Sequence, residues 1–221
     1  MKAWAVVEAG KPLEHIDLPT PEPKGTEVLL EVTHCGVCRS DLHFWHGYYD
    51  LGGGNRLKLS DRGVTLPRAP GHEIVGRVVK LGPDAVGVSV GDRRVVYPWI
   101  GCGTCAACLR GEENLCARPH QIGCSSGAAG GFATHVIVPH PKYLLDYGAV
   151  PPALACTYMC SGLTAYAAAT TSNKVSEIRF VAALHSAVNS SNAFVIPVSF
   201  PNNCACRAGS SGISVESSGM T

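Results

Sequence analysis

No stretch of about 18 consecutive apolar residues occurs in the chain, so nothing in it reads as a membrane-spanning helix. Charge is scarce as well. Only 16% of the 221 residues are Asp, Glu, Lys or Arg, and they sum to a net charge of +1. No basic cluster or acidic run stands out, which argues against nucleic acid and anionic membrane as partners. Sparse charge beside 46% hydrophobic residues describes a compact body with little solvated tail. The apolar run at residues 3–7 is too short for a signal-peptide core, and no small-residue cleavage site follows it. A cytoplasmic location is the expectation. Internal repeats are lacking. So is a strand leading into a G-x-G-x-x-G turn: Gly209-Ser210-Ser211-Gly212 is too loose a match.

What the chain does have is cysteine. Eleven of them, without an export signal, point to metal binding or thiol chemistry rather than a disulfide framework. Residues 28–34, 74–81, 93–97 and 132–138 are β-branched and partly alternating, with turn signals such as Gly91-Asp92 between them. That pattern predicts a mainly β barrel or sandwich over about 1–150. Residues 151–170 open with two prolines and turn rich in Ala and Leu, which predicts one helix or two short ones, with Gly162 as a break. From residue 172 onward Ser and Asn become frequent; 181–184 and 193–198 are apolar, and the latter reads as a strand.

The sharpest motif is Cys102-x-x-Cys105-x-x-Cys108, then seven residues, then Cys116. Four thiolates suit the tetrahedral preference of zinc. The two-residue spacers wrap an ion, and Gly101, Gly103 and Gly111 permit the turns. The ligands are local and closed, so the site reads as structural over 101–117. Its rivals are an iron–sulfur cluster and four cysteines at chance spacing. A second set is dispersed: Cys38 in Cys35-Gly36-Val37-Cys38-Arg39-Ser40-Asp41-Leu42-His43, His72-Glu73 in PGHEIVGRVV, and Cys160 in CSGLTAY. Cys35 and Cys38 also match a redox CxxC pair.

The order GVCRSDLH, GHE-x-x-G, the four-cysteine lobe and CSGLTAY resembles the zinc-dependent alcohol dehydrogenases of the medium-chain dehydrogenase/reductase family, over roughly residues 1–170. The resemblance implies a GroES-like, partly open β-barrel. It implies a catalytic zinc on Cys38, His72 and Cys160, beside a structural zinc on the four-cysteine lobe. Three protein ligands would leave one position for water or alcohol. By the same resemblance Ser40 takes the alcohol proton and His43 passes it on. Asp41 orients His72, Glu73 lies beside the metal, and Arg39 contacts the cofactor pyrophosphate. The implied cofactor is NAD or NADP, and the substrate an alcohol or aldehyde. Cys124, Cys156, Cys204 and Cys206 are not expected to be ligands, although Cys156 stands one helical turn before Cys160. The segment between His43 and His72 is longer than in many relatives. Trp45, Tyr48 and Tyr49 in it line a pocket or pack the barrel.

The resemblance stops near Thr171. The family's α/β nucleotide-binding domain needs a glycine-rich turn and an acidic ribose contact within a few tens of residues, and neither follows. Residues 151–171 read as a hinge into that domain and 172–221 as a tail foreign to it, a shifted reading frame or mis-called splice being the simplest cause. The competing functions are an alcohol dehydrogenase, a non-catalytic zinc-binding fragment of one, and a GroES-like interaction module. The last would not need Cys38, His72 and Cys160 together. Relatives often associate through the domain that does not follow here.

Overall fold

The computed structural model describes residues 1–124, 129–171 and 195–197, with backbone alone for 169–171 and 195–197. The apolar run at 181–184, Cys204, Cys206 and the glycines at 209–212 lie outside the described residues.

The strands are β1 (Lys2–Ala5), β2 (Glu14–Asp17), β3 (Val28–Gly36), β4 (Tyr48–Gly52), β5 (Asn55–Lys58), β6 (Glu73–Leu81), β7 (Arg93–Val96), β8 (Trp99–Ile100), β9 (His120–Gln121), β10 (His135–Val138), β11 (Leu144–Leu145) and β12 (Val195–Pro197). The helices are α1 (Arg39–His46), α2 (Ala106–Leu109), α3 (Pro152–Thr157) and α4 (Leu163–Thr171). The main sheet is antiparallel in the order β10-β3-β6-β7-β11, and β12 pairs with the last residues of β3. Three further pairs, β1-β2, β4-β5 and β8-β9, are two-stranded.

β3 and β6 form the spine. Val28 pairs with Leu81 at one end and Gly36 with Glu73 at the other, with bulges at Leu29/Leu30 and Val32/His34. Such bulges bend a strand and suit barrel curvature. Val28, Leu30 and Val32 enter a core shared with Ile74, Val78, Val96, Ile122, Val136 and Val138, all fully or almost fully buried. The opposite face of β6 and β7 is covered too: Val75 and Val95 pack on Ala155 and Cys156 of α3. The alternation of β6 therefore serves two cores, which explains its nearly continuous apolar run.

The helix α1 was not anticipated from the sequence. It lacks an apolar stripe, and only Asp41 and Phe44 in it are buried. A reciprocal cap starts it: the Cys38 side chain accepts from the third helical N–H, and the Asp41 carboxylate accepts from Cys38 N–H. It ends at Gly47, whose φ of +79° allows its N–H to reach His43 O. Over residues 153–169, expected as one helix or two, the helical path runs on from α3 into α4 and widens to a π turn at Tyr158–Gly162. Gly162, expected as a break, therefore lies in an irregularity, and the chain does not break there.

Candidate metal centres

Three remote segments meet at the lower end of the β3–β6 spine. Cys38 caps α1 just after β3, His72 immediately precedes β6, and Cys160 lies in the π turn. One donor atom from each lies within 4.8 Å of the others. The two thiol sulfurs, 122 residues apart, are separated by 3.6 Å. Zinc–sulfur bonds near ~2.3 Å in a tetrahedron place sulfurs about 3.8 Å apart, so the spacing fits a shared ion. His72 is fully buried, and its Nε2 has no hydrogen-bond partner among the described residues. Leaving such an atom unpaired costs about 1–3 kcal/mol, and a cation between the donors would remove that cost.

The other nitrogen of His72 is held. Asp41 Oδ1 lies 3.4 Å from Nδ1, and Cys124 Sγ lies 3.3 Å from it. Asp41 is itself buried and accepts from Gly71 N–H at 2.9 Å and Cys38 N–H at 2.8 Å. Gly71 adopts φ +96°, and a side chain there would strike Phe132 and Cys35. One carboxylate thus ties together the backbone of one donor, the turn before the second and the ring of the second. Burial opposes protonation of His72, but Asp41, Cys124, Cys160 and Cys38 outweigh it and push its pKa far up. A hydrogen bond from Cys160 holds the Cys38 thiol down, to about 3. Clustered electron-rich donors of this kind call for a positive charge among them.

Glu73 is buried as well, and burial lifts its carboxyl to about 7 against two bonds from Ser161. Its Oε1 accepts from Ser161 N–H at 3.0 Å and Ser161 Oγ–H at 2.8 Å. Its carboxylate is not among the three converging donors.

The second cluster is Cys102, Cys105, Cys108 and Cys116, all of whose sulfurs lie within 4.8 Å of one another. Measured separations are 4.0 Å for Cys102–Cys108, 3.5 Å for Cys105–Cys108 and 3.8 Å for Cys105–Cys116. These again match a tetrahedral S4 site. Backbone N–H groups of Cys102 and Arg118 point at Cys116 Sγ, at 3.2 and 3.3 Å. The Thr104 hydroxyl, with backbone N–H groups, pulls Cys102 down to about 5, into the thiolate range. The loop between Cys108 and Cys116 is anchored by Glu113, which accepts from Gly101 N–H, Tyr143 Oη and Lys142 Nζ.

Ser40 and His43 share α1, one turn apart and both half-buried, and the His43 ring lies 4.6 Å from that of Tyr49. Arg39 is exposed at the helix start. The three aromatic residues left open from the sequence differ in surroundings. Trp45 donates to Lys11 O, Tyr48 stacks with Arg56, and Tyr49 packs on Phe44, Leu59 and Cys124. Cys35 is a core residue, and Cys156 donates to Ala153 O beneath the sheet. Trp99, Ser161 and Cys124 were not singled out as site residues from the sequence. Trp99 presents its edge to His72 at 6.1 Å and donates to Met159 O at 3.1 Å. Its position just before the lobe is the only local signal.

Residues 24–147 match the family described as the alcohol dehydrogenase GroES-like domain. The chain is 43% identical over 168 residues to an NAD-dependent alcohol dehydrogenase of Sulfurisphaera tokodaii, covering 76% of this chain and 47% of that protein. It is 42% identical over 168 residues to a counterpart in Saccharolobus solfataricus, with the same coverage. Among solved structures, a cobalt- and zinc-bound thermostable alcohol dehydrogenase from Pyrobaculum aerophilum superimposes with a TM-score of 0.62 at 30% identity, over 75% of this chain and 46% of that one. The chain thus spans about half the length of the curated relatives it matches. Fold, donor spacing and sequence agree, and the chain belongs to the alcohol dehydrogenase family through its GroES-like domain.

Proposed function

We propose that this chain carries the metal-binding, alcohol-activating half of an NAD-dependent alcohol dehydrogenase. The observation that carries the reading is the orphaned His72 Nε2 facing two thiols 3.6 Å apart. Cys38, His72 and Cys160 would hold a catalytic zinc, which when bound supplies Lewis acidity towards an alcohol or aldehyde oxygen. Cys102, Cys105, Cys108 and Cys116 would hold a structural zinc that contributes folding free energy to the lobe. Ser40 takes the alcohol proton, and His43, a turn further along α1, carries it towards solvent. Asp41 holds the His72 ring by its Nδ1–H. Barrel and lobe over 1–150 form one catalytic domain, 151–171 lead away from it, and the protein works in the cytoplasm.

A dinucleotide does not fit the described residues. They contain no strand–glycine turn–helix unit, and Arg39 is a single exposed cation. The alternative, a zinc-binding fragment without turnover, rests on that observation and on coverage of under half of the relatives.

Metal analysis of the purified chain tests the reading. Two zinc ions per chain are expected. His72→Ala should lose one and cost less stability than Cys105→Ser. Cys105→Ser should destabilise the lobe, because a closed site loses a thiolate. Finding iron, or finding His72→Ala the more destabilising change, would overturn the assignment of roles.

A further inference from the structure

Cys160 reaches the metal centre from the π turn between α3 and α4, outside the sheet. Two side chains of the barrel grip this turn on either side of the cysteine. The Trp99 indole donates to Met159 O at 3.1 Å. Glu73 Oε1 receives both the N–H and the hydroxyl of Ser161, at 3.0 and 2.8 Å. Glu73 is fixed in its turn. It is 1% exposed, and its Oε2 occupies the space over Gly36, its register partner across β3 and β6. A Cβ at Gly36 would come within 2.3 Å of that oxygen and 3.0 Å of Glu73 Cβ. The missing side chain of Gly36 is what admits the carboxylate.

We propose that Glu73 and Ser161 form a latch that seats Cys160 against Cys38 and His72, with Ser161 as a positioning residue and the Glu73 carboxylate as an anchor for the turn. The proposal rests on the three-donor reading of the centre. A donor set works only when its groups are held to within about 0.5 Å, and residues on loops need a supporting shell to achieve that. Cys38 and His72 have such support from Asp41. Cys160 has it through its neighbours, and Ser161 contributes two hydrogen bonds to a buried carboxylate.

Two measurements on the full chain test this. The first is the rate of zinc release to a chelator, where the phase belonging to the dispersed centre is the one absent in His72→Ala. The second is the rate of iodoacetamide alkylation at Cys160 in chelated protein, read by peptide mass spectrometry. Ser161→Ala should speed both about tenfold or more, in line with lost outer-shell support, and leave the lobe's release phase unchanged. Ser161→Thr, which keeps the hydroxyl, should restore both rates. Glu73→Gln retains an acceptor oxygen and should stay near the wild-type release rate, whereas Glu73→Ala, which loses the bond from the Ser161 N–H as well, should speed both at least as much as Ser161→Ala. Wild-type rates in Ser161→Ala would overturn the latch. So would Glu73→Gln releasing metal as fast as Glu73→Ala, since the carboxylate would then act through its charge on the metal. Absence of any His72-dependent phase would sink the three-donor reading instead, and the alkylation series would still decide the latch.

Discussion

Asp41 shows how one residue can organise a centre it does not enter. Its two oxygens receive the backbone of Cys38 and of Gly71, and one also faces His72 Nδ1. Asp41→Ala is expected to cost about 3 kcal/mol, since two or more buried donors lose their acceptor. It should also weaken metal binding at the dispersed centre about 10–100-fold. Urea unfolding and zinc competition would measure the two effects. Arg68 presents the opposite case. It is 6% exposed, and its Nε and Nη2 have no hydrogen-bond partner among the described residues. Its guanidinium lies 5.7 Å from the Phe44 ring centre, a modest recompense. Burial lowers its pKa. Replacing a poorly paired buried charge with an apolar chain of similar length is often stabilising by about 1–4 kcal/mol. Arg68→Met should therefore raise the unfolding midpoint, and a fall would mean that the guanidinium has an ionic partner.

At the scale of elements, the cysteine lobe is fastened to the barrel through Glu113. Lys142, Tyr143 and the Gly101 N–H hold its carboxyl down, at about 2, against the opposing effect of burial. A carboxyl depressed below its unfolded value near ~4.3 stabilises the fold fully above that pH. The contribution fades as pH falls from there towards about 2. Glu113 is 18% exposed and Lys142 50%, so solvent screening keeps the contribution to roughly 1–2 kcal/mol. Glu113→Gln should be less stable than wild type at pH 7, and the gap should narrow below pH ~4 in urea titrations run on both proteins. A gap that stays constant with pH would assign the loss to packing. Elements were unevenly legible. β3 and β6 announce themselves by β-branched residues in runs of nine. α1 does not, because its reason to exist is a cap made by Cys38 and Asp41, two residues already read as site chemistry. The π turn was anticipated only as a break at Gly162, since a widened turn leaves no periodic mark.

Across the whole molecule, the described residues assemble a metal site and no dinucleotide site. Hydride transfer requires an acceptor held within about 3–3.5 Å of the reacting carbon. One exposed cation, Arg39, does not orient a dinucleotide. On the fragment reading, the 221-residue chain by itself should show no steady turnover of ethanol or benzyl alcohol with NAD or NADP, followed by absorbance of the reduced cofactor. Turnover abolished by Cys38→Ala would show that the chain completes a cofactor site after all.

The four-cysteine lobe was determined by sequence alone, because its ligands sit within fifteen residues and spacing by itself dictates a closed shell. The membership of Cys38, His72 and Cys160 was suggested by motif order, yet nothing local relates sulfurs 122 residues apart. Only tertiary structure decides that they converge. The β3–β6 pairing brings Gly36 opposite Glu73, which places Cys38 beside His72, and α3 packed under β6 and β7 brings the π turn to the same end. The same packing chose among equals. Trp99 and Cys124 carry no motif and Ser161 is only the neighbour of Cys160 in CSGLTAY, and they enter the site because folding puts them against His72 and Glu73. Spacing along a chain specifies contacts only over a turn or a loop; beyond that, register and packing determine which side chains meet.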